Sequence, residues 1–282
     1  MSTLLSAVRD IFIIDREGFS CKIYYTAWLR HFNYLLHEAK MKYILSFIAA
    51  FIPLMLLSGC EMNRLDNAEK ELYLKQEAAG IPVIISVVKG PKFTDRMKAG
   101  PLTFNVLPQI AVWAEDGNGK LIDTLYVTGA DWKKMRHAGK KKLGADFYSQ
   151  CFPLWASRVK AAGKELPAPK KPYTDAVTSA TPMSSFKVHT RLNTGAEPVY
   201  IYAEINKSGD NNTAYTKDNN DWAGQPSLLY RAEVNNTAKG QPVKLELIGH
   251  SGMIKEAPAV HSDTSGLDSA LDIIREITVI FN

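Results

Sequence analysis

Cysteine, histidine and the carboxylates are the side chains able to act as nucleophiles, bases or metal ligands, and this chain spaces them widely. It has three cysteines and six histidines in 282 residues. Cys151 stands beside Phe152 and Pro153 with no histidine matched to it as a base. It is expected to be a small buried residue rather than a nucleophile. His137, His189, His250 and His261 are far apart in sequence. No HExxH, CxxC or GxSxG string is present, nor a glycine-rich phosphate loop, and the spacing points to no metal site. His189 sits on an alternating strand and His250 ends one, and folding could bring members of the four together. Paired acids of the glycosidase kind are distant in sequence, and nothing picks out a pair. The stretch "KSGDNNTAYTKDNNDW" (207–222) is dense in Asp and Asn. Its oxygens are of the type that binds Ca²⁺, but the EF-hand spacing is missing and a loop between strands is expected.

Cys60 has a different setting. It closes "MKYILSFIAAFIPLMLLSGC" (41–60), where Lys42, with Lys40 just ahead of the stretch, precedes an apolar run interrupted late by Pro53. A basic end, an apolar middle of ~7–15 residues and a small-residue ending make a secretory signal. A membrane-spanning helix wants ~20 apolar residues and no late proline. The ending Leu57-Ser58-Gly59-Cys60 resembles the bacterial lipobox. That resemblance implies cleavage before Cys60 and a diacylglycerol on its thiol, with Ser58 and Gly59 small enough to enter the peptidase. Residues 1–40 then read as an upstream extension preceding the natural initiator Met41, a true cytosolic extension being the alternative. Residues 41–59 are the signal, 60–80 a tether or short helix ending at Gly80, and 81–282 the folded domain.

The string "DAVTSATP" (175–182) is similar to the acceptor motif of bacterial flavin transferases. The motif runs Asp, two variable residues, Ser or Thr, Gly, Ala, then Ser or Thr. On that match Asp175 is the leading acid, Thr178 the first hydroxyl, Ala180 the small residue and Thr181 the acceptor of FMN through its phosphate. Ser179 stands where the motif has glycine. The alternative is an ordinary Ser/Thr loop leading into the strand at 185.

These groups must be positioned by strands. "IPVIISVV" (81–88), "QIAVWAE" (109–115), "KLIDTLYVT" (120–128), "SFKVHTRL" (185–192), "PVYIYAEIN" (198–206), "SLLYRAEVN" (227–235) and "VKLELIGH" (243–250) are β-branched or alternate with period 2. Asp116-Gly117-Asn118-Gly119 marks a hairpin. In 198–206, Val199, Ile201, Ala203 and Ile205 share one face, and Tyr200, Tyr202 and Glu204 the other. A late helix is expected over 265–277, with Leu267, Leu271 and Ile274 on one face. Many short strands without βαβ alternation predict a mainly β chain, an antiparallel sandwich, and disfavour a nucleotide-binding α/β fold. With only Cys151 left as a free thiol, that core must stand without disulfides.

Composition is that of an ordinary globular protein, 46% hydrophobic and 22% charged. Net charge is +5; the first 59 residues hold six Lys/Arg and four Asp/Glu, so +3 remains. This is too weak a field to point to nucleic acid. The basic stretch "WKKMRHAGKKK" (132–142) reads as a solvated loop or short helix, or as a contact for anionic lipid head groups.

The strings "LPQIAVWAEDGNGKLIDTLYVT", "FPLWASR", "DAVTSATP", "GQPSLLYRAEVN" and "VKLELIGHSG" together resemble a family of bacterial periplasmic proteins and lipoproteins built on a domain of unknown function. The resemblance spans about 81–277 and implies export and an Ig-like β-sandwich, with no established activity. Some relatives accompany extracytoplasmic flavin systems, which implies the flavin reading of Thr181. The expectation is a lipid-anchored envelope protein with a non-enzymatic binding or assembly role, facing periplasm or cell surface. An electron-transfer component carrying covalent FMN is the alternative.

Overall fold

Where the sequence alternates, strands form. The computed structural model describes residues 68–99, 102–129, 143–167, 176, 180–195, 197–220, 224–235 and 238–282, all within one unit, Asn63–Asn282. One five-stranded sheet contains β1 (Lys70–Tyr73), β2 (Ile81–Lys89), β7 (Phe186–Leu192), β10 (Val243–Lys244) and β12 (Ile274–Phe281), in the order β1-β7-β2-β12-β10. The second contains β5 (Gln109–Glu115), β6 (Leu121–Val127), β8 (Val199–Asn206), β9 (Leu228–Val234) and β11 (Glu246–His250), in the order β11-β9-β8-β5-β6. A small hairpin pairs β3 (Asp95–Ala99) with β4 (Leu102–Val106). The two large sheets share one core, in which Val83, Ile85 and Val87 of β2 and Ile277 and Val279 of β12 join Ile110 and Val112 of β5 and Ile201, Ala203 and Ile205 of β8. The chain is mainly β and sandwich-like, as its alternation predicts.

The segment 243–250 behaves as two strands. Leu245, buried, donates its N–H to Ile277 O in the first sheet. Its successor Glu246 pairs with Arg231 in the second. One residue thus carries the chain across the sandwich edge.

Two expectations are corrected. No α-helix covers 265–277: a 3-10 turn at Ser269–Asp272 is followed directly by β12. Leu271 is exposed there, whereas Ile277, Val279 and Phe281 are buried at period 2 between β2 and β10. Burial in the sheet centre outweighs the helical spacing of three residues. The segment 60–80 is not wholly a tether or helix, because residues 70–73 add β1 to the edge of β7. That pairing is parallel, while every other neighbouring pair in the two large sheets is antiparallel.

The structure also has a helical layer that the strand pattern does not announce. Helices α1 (Leu143–Cys151) and α2 (Pro153–Ala161) cover the outer face of the second sheet. Phe147, Tyr148, Cys151, Phe152, Leu154 and Trp155 pack there with Ala111, Trp113 and Leu229. The rings of Tyr148, Phe152 and Trp155 meet at centroid distances of 5.7–6.3 Å. Pro153 suits the first turn of α2, where its missing N–H costs nothing.

Candidate functional site

The face of β8 that carries Tyr202 and Glu204 lies beneath the helices rather than in solvent. Glu204 is fully buried. Phe152, the residue before α2, supplies no side-chain cap. The orphan N–H groups of the first turn instead donate to Glu204: Leu154 N to Oε1 at 3.4 Å and Trp155 N to Oε2 at 2.9 Å. Ser227 Oγ donates to Oε1 at 2.6 Å and lies 2.5 Å from Ser251 Oγ. Burial pushes the carboxyl up to about 7, against the hydrogen bonds from Ser227, Trp155 and Leu154. Cys151 lies in the same layer, its thiol pushed well up by burial and then by Glu204. A thiol so held is protonated and shielded, as its apolar neighbours predicted.

Glu115, at the end of β5, is the second buried acid. Its Oε1 accepts from Trp113 Nε1 at 2.7 Å and from Arg158 Nε at 2.9 Å. Its Oε2 is buried with no hydrogen-bond partner among the described residues. Trp155 Nε1 donates to Thr124 Oγ1 at 3.0 Å, completing a polar lattice that fastens the helices to the sheet. Neither acid was singled out by sequence. The available signal was "QIAVWAE", apolar on both faces, which marks a strand covered on both sides.

Of the residues in the flavin motif, Asp175 and Thr178 lie outside the described residues, as do Cys60, His137 and the basic stretch 132–142. Thr181 is described and buried. Its hydroxyl donates to Pro108 O at 2.6 Å and pairs with Thr128 Oγ1 at 2.9 Å. Beside it runs a cleft of ≈ 400 Å³ lined by Glu69, Lys70, Ala180, Thr181, Pro182 and Met183, among others.

The Asp/Asn-rich loop uses its oxygens on backbone N–H groups, partly its own and partly those of Gln225 and Ile254 beyond it. Asn212 Oδ1 accepts from Ala214 N and Tyr215 N, Asn219 Oδ1 from Thr216 N, Asn220 Oδ1 from Ile254 N and Asp210 Oδ1 from Gln225 N. Burial pushes Asp210 up to about 7. Gln225 then ties the loop to Asp268 and Ser269 at 2.8 and 2.9 Å.

The histidines part company. His189 on β7 pairs with Glu71 of β1 and stacks on Tyr73 at 4.7 Å. His250 and His261 come together, stacked at 5.2 Å. Among the described residues no group of three or more His, Cys, Asp or Glu is placed to hold a metal ion. Comparison of the chain with family models, with curated proteins and with solved structures finds no match.

Proposed function

We propose that this chain is a lipid-anchored protein of the bacterial envelope, fixed through Cys60, with a non-enzymatic binding or assembly role. The observation that carries the proposal is the string "MKYILSFIAAFIPLMLLSGC" a few residues ahead of β1 (Lys70–Tyr73). A diacylated Cys60 would hold the sandwich at a membrane surface on a short polar segment. The non-enzymatic part of the reading rests on how the buried acids are used: Glu204 caps a helix and Glu115 holds Arg158 and Trp113. Labelling cells with an alkyne fatty acid should tag the wild-type protein and not Cys60→Ala. An untagged wild type would sink the anchor.

The second reading is FMN on Thr181. It is favoured by the ≈ 400 Å³ cleft beside that residue, which has room for an aromatic ring system. Transfer requires the hydroxyl to leave Pro108 O and Thr128 Oγ1. Co-expression with a flavin transferase should add one FMN to the intact mass of wild type and Thr181→Ser, and none to Thr181→Val. An unmodified wild type rejects this reading and leaves the anchor untouched.

A further inference from the structure

Residues 251–260 leave the end of β11 and return to it, bracketed by two histidines. His250 and His261 form an isolated antiparallel bridge, each N–H donating to the other's carbonyl at 2.9 Å. Their rings stack with centroids 5.2 Å apart and planes 12° from parallel. Gly249, at φ 136°, lies so close to the His261 carbonyl that no side chain fits. A Cβ on Gly252 would stand 2.8 Å from His261 Nε2 and 2.7 Å from Glu256 Oε2. The enclosed loop exposes Ala257, Pro258, Ala259 and Val260.

In the closed arrangement the His250 ring is neutral at Nδ1. Its Nδ1 accepts the Gly252 N–H at 3.1 Å and must be unprotonated to do so. The groups facing the pair are Tyr215, edge-on to His250 at 6.5 Å, and the carboxylates of Glu256 and Asp263. Glu256 Oε2 is itself engaged by Met253 N at 2.8 Å. Behind the bridge, Ser251 reaches the buried Glu204 through Ser227.

We propose that the His250–His261 pair is an acid-operated latch on residues 251–260, closed while the rings are neutral and released when both are protonated. A proton on His250 Nδ1 removes the acceptor for Gly252 N–H. It also sets a cation face to face with the His261 ring, and two imidazolium cations stacked so closely repel. Burial and then His261 hold His250 below its ordinary 6.5, partly offset by Asp263 and Glu256. Its neutral form is therefore favoured by folding. The latch is fully closed above pH 6.5 and is lost as pH falls through the lower folded value.

Hydrogen exchange by mass spectrometry on the full chain, between about pH 7.5 and 5 and corrected for intrinsic rates, tests this. Protection of peptides covering 251–260 should fall about tenfold relative to β8. The fall should persist in Glu204→Gln and be clearly smaller in His261→Phe, which keeps a ring without the charge and leaves only the loss of the Gly252 acceptor. Protection that is independent of pH in wild type overturns the latch. So does an equal fall in His261→Phe, or loss of the response in Glu204→Gln, which would assign it to the buried acid. Should His261→Phe be open at every pH, imidazole resonances of the wild type decide. Two separated, coupled titration steps for the pair support the latch, and independent steps at ordinary values overturn it.

Discussion

Glu204 caps a helix that is distant in sequence, and its environment sets how it responds to pH. Burial raises it from 4.5 to about 7, so the folded state holds that proton more tightly than the unfolded chain. The resulting stabilisation is complete below 4.5 and is lost as pH rises through about 7. A difference of this size corresponds to about 3 kcal/mol. Glu204→Gln keeps an acceptor for Trp155 N and removes the charge. Denaturant unfolding between about pH 5 and 8 should then lose much of its downward slope, the remainder coming from Asp210, which is raised in the same direction. An unchanged or steeper slope in the variant would refute this assignment.

At the level of elements, Lys75 shows how β1 is secured. It takes up a left-handed backbone, φ 51°, which costs a non-glycine residue about 1 kcal/mol or more. Its ammonium reaches Asp123 Oδ2 at 2.6 Å and Thr124 O at 2.7 Å on β6, in the opposite sheet. Lys75→Met should lower stability by about 1–3 kcal/mol, read as a lower denaturant midpoint at unchanged slope. A midpoint equal to wild type would show that the contact contributes nothing. Lys75→Gly separates the two effects, since it relieves the backbone while losing the ammonium.

The same scale shows what was legible in the sequence. The strands β2, β7, β8 and β9 were plain, because alternate residues such as Val199, Ile201 and Ala203 enter one core. Three features were not. Helix α2 lacks a local cap because Glu204 supplies it from another element. β12 was hidden by the chance helical spacing of Leu267, Leu271 and Ile274. β1 was hidden because its four residues, three of them exposed, gain their structure from pairing with β7. Of the candidate sites, the meeting of His250 and His261 was open as a possibility only, since a β-bridge across a ten-residue loop has no periodic signature. The deep placement of Thr181 depends on Pro108 and Thr128, distant partners that composition does not reveal.

At the scale of the whole molecule, the unit is a sandwich with helices on one outer face, bound across its edge at Leu245. A lipid on Cys60 would join this unit to a membrane just ahead of β1. The intact mass of material purified from membranes should equal the chain from Cys60 onward plus a diacylglyceryl group and any acyl chain. Cys60→Ala should yield neither that mass nor membrane-bound protein. A wild-type mass retaining residues 1–59 would reject both the signal and the anchor.

The remote cap on α2 also orders events in time. A nine-residue helix is too short to persist alone in water. The partner that satisfies its first turn lies 49 residues away, on a strand that itself needs β5 and β9 beside it. The entropy lost in closing that loop is offset only once β8 is already held in the sheet. The helical layer is thus a late arrival in folding. Until it docks, Trp113, Tyr202 and Leu229 stand open to water, an apolar face of the kind through which partly folded chains aggregate.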